Sequence, residues 1–145
     1  MPSLEEIIER LKSLTVEEQE ADLLKIVERH SSEAIDLNTS QLMKGINSKG
    51  ESLGEYRSKK YAEFKRFLNP AGVMDLKFEG DFHGGFFIET ERFPVTFNSR
   101  DDKTFKLVRY FGEYIFGLTK ENKNKLVEEY YKEDIQEYYK GILQL

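Results

Sequence analysis

The chain has 145 residues, of which 39% are apolar and 13% aromatic, and its formal net charge is −5 at pH 7. This length supports one hydrophobic core, so we expect a single domain spanning residues 1–145. The absence of cysteine excludes a disulfide framework and thiolate metal sites, and no apolar run approaches the length that spans a bilayer.

Residues 1–37 are predicted to form an acidic helical arm. Two hydroxyl residues are each followed three positions later by Glu, which is the capping-box spacing: Ser3 with Glu6 and Thr15 with Glu18. They predict a short helix over Leu4–Leu14 and a longer one that continues to about Ile35 on a thin apolar stripe. This acidic, amphipathic start differs from a basic targeting peptide, so we expect the protein to stay in a cytosol-like compartment.

Residues 38–57 are predicted to form an extended loop, because the tract QLMKGINSKGESLGEY is rich in Gly and Ser. Ser58 is a candidate cap for a helix over 59–68, which ends before Pro70. We expect the aromatic residues of this helix to face the core and its bases to face water. Residues 58–118 would then combine this helix with a small sheet.

Three segments have the composition of short strands, namely Val73–Phe78, Gly85–Thr90 and Pro94–Asn98. The glycine-rich GDFHGG tract between the first two favours a turn with positive φ angles. A small antiparallel β-sheet is therefore expected, followed by a helix that starts at Asp101 or Asp102 and stops at Gly112.

Residues 119–145 are predicted to form a long C-terminal helix that is capped by Thr119. It carries two tyrosine pairs, Tyr130-Tyr131 and Tyr138-Tyr139, and we expect one member of each to face the core and the other to face outward. The fold class is therefore α+β, with a small antiparallel sheet flanked by helices, an N-terminal helical arm and a long C-terminal helix.

Charge is distributed unevenly along the chain. Residues 1–37 carry ten acids and four bases, a net of −6, whereas residues 44–69 carry seven bases and three acids, a net of +4. Patches of opposite sign can complement each other between copies of one protein. The same charges are also compatible with two ordinary solvated helix faces.

One acidic cluster is the best candidate for a metal or acid–base site. Period-two spacing would place four residues on one side of a strand: Asp75, Glu79, Asp81 and His83. A strand with one solvated face has the same pattern, and no second half of a site is visible elsewhere. The glycines match neither a dinucleotide fingerprint nor a phosphate loop. We therefore expect a protein without catalytic residues, cofactor or metal.

The segment 56–67, YRSKKYAEFKRF, interleaves bases with aromatic residues. Grooves that bind single-stranded nucleic acid use this composition for phosphate contact and base stacking. At helical spacing the same aromatic residues fit a core position. A nucleic-acid-binding module using this segment is thus the alternative functional hypothesis.

The order of four segments resembles a known class of proteins. QLMKGINSKGESLGEYRSKKYAEFK is followed by DLKFEGDFHGGFFI, by FPVTF and by KLVRYFGEYIFGLTKEN. This order is similar to that of the small head-to-tail connector, neck or tail-completion proteins of tailed bacteriophages of Bacteroides-type hosts, including crAss-like phages. The resemblance covers about residues 41–122.

The resemblance implies a structural virion protein, assembled in the host cytoplasm and located in the neck or tail. It implies a homo-oligomeric ring that contacts other neck or tail ring proteins and the portal, with genomic DNA passing through the lumen and no membrane contact. From the residues and the resemblance together we predict nine subunit or partner interface residues: Lys49, Tyr56, Arg57, Lys59, Lys60, Phe82, His83, Tyr130 and Tyr139.

Overall fold

A computed structural model describes residues 1–69, 72–77 and 80–144. The helices in chain order are α1 (Leu4–Ser13), α2 (Val16–Arg29), α3 (Ser31–Met43), α4 (Lys59–Leu68), the single turn α5 (Asp81–Gly84), α6 (Thr104–Phe111), α7 (Lys120–Leu126) and α8 (Lys132–Leu143). Two strands, β1 (Phe86–Glu89) and β2 (Thr96–Ser99), pair antiparallel. The predicted α+β class is confirmed.

The helix starts follow local capping chemistry, as predicted. Ser3 and Thr15 each form a complete capping box, and Ser58 and Thr119 accept a hydrogen bond from the amide three residues on. Each cap satisfies an amide that has no partner within its helix. These bonds depend on residues three positions apart, so the sequence alone predicts them.

The prediction for the end of the N-terminal arm is wrong. The expected long helix breaks at His30, whose backbone leaves helical geometry (φ −103°, ψ 23°), and a separate helix α3 continues to Met43. The first six residues of the predicted loop, 38–43, therefore belong to a helix. The chain turns at Gly45, where φ is +75° and an added Cβ would lie 2.8 Å from the Val73 Cβ, so only glycine fits.

The first predicted strand is also corrected. Residues 73–77 form no strand, and Phe78 lies outside the described residues. Leu76 has a φ of +59°, and the Asp75 carboxylate accepts a hydrogen bond from the Lys77 amide at 2.9 Å. Both features turn the chain here, so the period-two pattern does not correspond to an extended backbone.

The sheet that forms is a hairpin of two strands. Phe86 lies opposite Ser99 and Glu89 opposite Thr96, so two of the three predicted strands are present and in register. The glycine-rich tract before β1, which was expected to be a turn with positive φ angles, forms the helical turn α5. Gly80, which precedes it, has a φ of +93° and supplies the left-handed conformation that starts the turn.

The C-terminal helix runs from Lys120 to Leu143 with a π-helical segment, Val127–Tyr131, between α7 and α8. A π segment accommodates one extra residue in the helix. The sequence periodicity of the residues after it is therefore displaced by one position. Among the described residues, no helix is both long and apolar enough to cross a membrane.

Two clusters of buried apolar side chains are present among the described residues. The larger one contains Leu42, Leu76, Phe82, Phe86, Leu107 and Ile115. The smaller one contains Ala34, Leu118 and Leu126, and both tyrosines of the π segment pack against it. Helix α3 contributes to both clusters and so connects the hairpin to the C-terminal helix.

Two buried amide side chains on α3 fix the loop between α6 and α7. Asn38 donates to the Ile115 carbonyl at 3.0 Å and accepts from the Gly117 amide at 2.8 Å. Gln41 donates to the Gly117 carbonyl at 3.0 Å and accepts from the Thr119 amide at 2.8 Å. We call these two residues the amide clamp. The clamp was not predicted, because Asn38 and Gln41 both lie in the segment that was expected to be a loop.

Candidate interaction surface

The predicted metal candidate Asp75 is part of a buried ion pair. Lys65, on α4, is 2% exposed and its Nζ lies 2.9 Å from Asp75 Oδ1, while the Asp75 side chain is 1% exposed. The same Nζ donates to the Lys77 carbonyl oxygen. A buried charge is tolerated when a partner and hydrogen bonds replace its hydration, and this pair meets both conditions.

Asp75 receives further donors on both carboxylate oxygens. Tyr56 Oη donates at 3.4 Å, and Asn69 Nδ2 donates at 3.0 Å. Burial by itself would raise the pKa of Asp75, but hydrogen bonds from Lys65, the Lys77 amide and Asn69 outweigh it and lower the pKa below 3.8. The carboxylate is therefore ionised and fully used within the fold.

His83 lies beside this ion pair rather than on a shared strand face. Its Nε2 is 2.8 Å from the Asp75 carbonyl oxygen, so the neutral ring donates that hydrogen bond. Burial lowers the pKa of His83, which keeps the ring neutral. Glu79 lies outside the described residues. Within the described ranges, no group of three or more His, Asp or Glu side chains is arranged to hold a metal ion.

The orientation of α4 is the opposite of the predicted one. Its buried side chain is Lys65, whereas Phe64 and Phe67 are 56% and 89% exposed and Leu68 is also exposed. Lys60 lies on the same stripe of the helix, four residues before Phe64. We call Lys60, Phe64, Phe67 and Leu68 the α4 outer face. It combines large apolar side chains with a base.

An aromatic chain continues from this face across the surface. The Tyr61 ring contacts Phe64 at 6.3 Å and Tyr56 at 5.0 Å between centroids. Arg57 Nη2 donates to Tyr110 Oη at 3.3 Å, which links the start of α4 to α6. The predicted interface residues Tyr56, Arg57, Lys59 and Lys60 are therefore brought together at the N-terminal end of α4.

Lys49 lies in a separate, ordered loop. Its Nζ is 3.8 Å from the centroid of the Tyr114 ring, a cation–π contact. Asn47 shapes this loop by accepting hydrogen bonds from the amides of Lys49 and Glu51 at 2.9 and 3.0 Å. Lys49 is exposed, and the contact holds its charge close to the surface of the protein.

Phe82 does not fit the predicted interface role. It is 2% exposed and packs edge-on against Phe86 with ring centroids 5.1 Å apart. Phe82 and Phe86 both belong to the larger buried cluster. A partner would have to open the core to reach this side chain, so Phe82 belongs to the core.

The tyrosine pairs of the C-terminal helix differ from the expected one-in, one-out arrangement. Tyr130 and Tyr131 both contact the His30 ring, with centroids 5.7 and 5.9 Å away. The hydroxyl groups of the second pair both donate to α2, from Tyr138 to Asp22 at 3.0 Å and from Tyr139 to Gln19 at 3.1 Å. The π segment explains the first pair, because its extra residue turns both rings inward.

An open apolar groove of about 800 Å³ lies between the hairpin, α2 and the C-terminal helix. Its apolar lining includes Val27, Ile88, Phe97, Phe116, Leu126 and Tyr131. Of the nine predicted interface residues, Lys49 alone lines it. The groove is thus distinct from the surface at the start of α4.

We compared the chain with protein-family models, with curated proteins and with solved structures, and none of the three comparisons found a match.

Proposed function

We propose that this protein is a non-enzymatic structural subunit of a homo-oligomeric ring in the neck or tail of a tailed bacteriophage. The observation that carries the proposal is the α4 outer face. Phe64, Phe67 and Leu68 lie exposed on one side of a short helix, next to exposed bases. Exposed apolar patches with polar rims are characteristic of protein–protein interfaces.

The internal use of polar groups supports a binding role over catalysis. The Asp75 carboxylate, the best acid–base candidate in the sequence, receives hydrogen bonds from Lys65, Tyr56 and Asn69 and is inaccessible to a substrate. The resemblance of the segment order to phage connector proteins is the reason for assigning this binding role to the virion. In that setting the partner of each surface is another ring subunit or a neighbouring ring.

Two measurements test this function. Electron microscopy of the purified full-length chain should show a discrete oligomer with a central opening, and mass photometry should give one dominant mass. Mass spectrometry of purified phage particles should detect the protein as a virion component. A strict monomer that is absent from virions would contradict the proposal.

A second candidate function is binding of single-stranded nucleic acid by residues 56–67. It is favoured by the exposure of Phe64 next to Lys59 and Lys60, since stacking on an aromatic ring and phosphate contact could occur together. The acidic pI of 5.2 opposes it, because the rest of the surface repels phosphate.

Fluorescence anisotropy with labelled single-stranded DNA distinguishes this candidate. If the DNA hypothesis is correct, the logarithm of the affinity falls steeply with the logarithm of salt concentration. Lys59→Ala with Lys60→Ala should then reduce that slope by about 1 to 2, whereas Lys120→Ala with Lys125→Ala on α7 should not. Binding that is absent at low salt excludes this candidate.

A further inference from the structure

Helix α1 exposes an apolar stripe that nothing in the described chain covers. Leu4, Ile8 and Leu11 follow each other at spacings of four and three, and they are 68%, 40% and 46% exposed. None of the residues of α1 is buried. Its inner side leans on the end of α8, where Arg10 Nη1 donates to the Leu143 carbonyl at 3.1 Å. We call Leu4, Ile8 and Leu11 the α1 outer face.

The charges next to the two outer faces have opposite sign. Glu5 and Glu9 on α1 are exposed and form no ion pair with another described residue, and the same holds for Lys59 and Lys60 on α4. At segment level the contrast is a net of −6 over residues 1–37 against +4 over residues 44–69. Opposite charges around an apolar contact favour encounter in one orientation.

We propose that the α4 outer face of one copy docks on the α1 outer face of the next copy. This inference rests on the proposed function, for which it names the contact between subunits. Nucleic acid could account for the bases on α4 but not for the unpartnered leucines and isoleucine on α1. A second copy accounts for both faces, because each chain offers one of each kind.

The geometry of assembly follows from the location of the two faces on different helices. A contact between two different patches is heterologous, so a pair of docked copies still has one free patch of each kind. Such contacts repeat until the rotation between copies closes a ring, or they continue as a fibre. A contact between identical patches would instead stop at a dimer.

Mixing two complementary variants tests the pairing. Phe64→Ser with Phe67→Ser removes the α4 outer face, and Leu4→Ser with Ile8→Ser removes the α1 outer face. Each variant alone should be monomeric in analytical ultracentrifugation at concentrations where the wild type assembles, because loss of a central anchor weakens the contact about 30-fold or more. An equimolar mixture should form a one-to-one dimer and nothing larger, since one intact pair of faces remains.

Two controls separate this pairing from general effects. Phe105→Ser removes an aromatic residue on α6 that is 74% exposed, and it should leave assembly unchanged. Glu5→Lys with Glu9→Lys should weaken assembly, and so should Lys59→Glu with Lys60→Glu. Combining all four substitutions exchanges the charges and should restore assembly. Circular dichroism should show native helix content throughout, because every substituted side chain is exposed.

The outcomes separate this inference from the proposed function. Rings that persist in both face variants would overturn the α1–α4 contact while leaving the ring function in place. Assembly through these faces by a protein that is absent from virions would overturn the virion role and retain the contact. A monomeric mixture of the two variants, or DNA binding that requires Lys59 and Lys60, would overturn the contact.

Discussion

Lys65 and Asp75 depend on each other, since both side chains are almost completely removed from water. Removing one of them leaves the other as an unpaired charge in the protein interior, where the dielectric constant is low. Removing both replaces the pair with apolar surface of similar volume. Removing one residue should therefore destabilise the protein more than removing both. This non-additivity of the stability changes measures the coupling between Lys65 and Asp75.

We predict that Lys65→Met lowers the free energy of unfolding by about 3 to 5 kcal/mol, because Asp75 then lacks its main partner. Adding Asp75→Leu should recover part of this loss. Urea denaturation of the single and double variants measures both effects. Lys59→Met, an exposed change on the same helix, should alter stability by less than about 0.5 kcal/mol. Strictly additive losses would show that the pair is not coupled.

His83 makes stability depend on pH. Burial is the largest cause of its lowered pKa, so below pH 6.5 the unfolded chain binds more protons than the folded one. The stability that a neutral His83 contributes is thus complete above pH 6.5 and is lost as pH falls towards the folded pKa. Asp75 acts in the same direction, but only below its ordinary pKa of 3.8.

We predict that His83→Gln flattens the decline in unfolding free energy between about pH 7 and about pH 5. Glutamine keeps an N–H donor for the Asp75 carbonyl but does not titrate. Chemical denaturation at several pH values measures the slope for both proteins. An unchanged slope in His83→Gln would show that another group is responsible.

At the scale of elements, the π segment decides how the C-terminal helix meets the rest of the fold. It directs Tyr130 and Tyr131 to His30, and α8 then presents Tyr138 and Tyr139 to α2. A π segment corresponds to one residue inserted into an α-helix. Deleting one residue inside it should restore a regular helix without rotating α8.

We therefore predict that deleting Glu129 is tolerated, with a loss of about 1 kcal/mol from one aromatic contact. Deleting Gln136, which is exposed on α8, should cost more, because it rotates Tyr138 and Tyr139 by about 100° away from α2. Thermal unfolding of the two variants compares these effects. Equal destabilisation would contradict the insertion view of this segment.

The sequence was informative where structure depends on near neighbours. The caps at Ser3, Thr15, Ser58 and Thr119 require residues three positions apart, and the hairpin strands require only alternation. Distant contacts decided the rest. Lys65 points inward because it pairs with Asp75, ten residues further along the chain. This orientation directs Phe64 and Phe67 of α4 outward. Hydropathy alone places those aromatic residues in the core, and so it hid the candidate surface.

At the scale of the whole molecule, two electrostatic effects on self-association oppose each other. Copies with a net charge of −5 repel at long range, whereas the acidic α1 region and the basic α4 region attract at short range. Salt weakens both. Added salt therefore raises the association rate if the repulsion dominates, and lowers it if the attraction dominates.

We predict that the association rate of wild-type chains falls as ionic strength rises, because the attracting faces meet first. Stopped-flow light scattering from about 0.05 to about 0.5 M salt measures the trend. Lys59→Gln with Lys60→Gln should remove the attraction and reverse the trend. A wild-type rate that rises with salt would show that net repulsion controls the encounter.

The amide clamp has a consequence for how this protein can change over generations. Asn38 and Gln41 recognise backbone atoms of the 115–119 loop, so the path of that loop is encoded 77 residues upstream of it. Exposed side chains nearby, such as Glu113, can drift without altering that path. A change of Asn38 to Asp, however, would turn a donor into an oxygen that faces the Ile115 carbonyl. Substitutions should therefore accumulate around the loop, whereas substitutions of the clamp residues on α3 should be removed by selection.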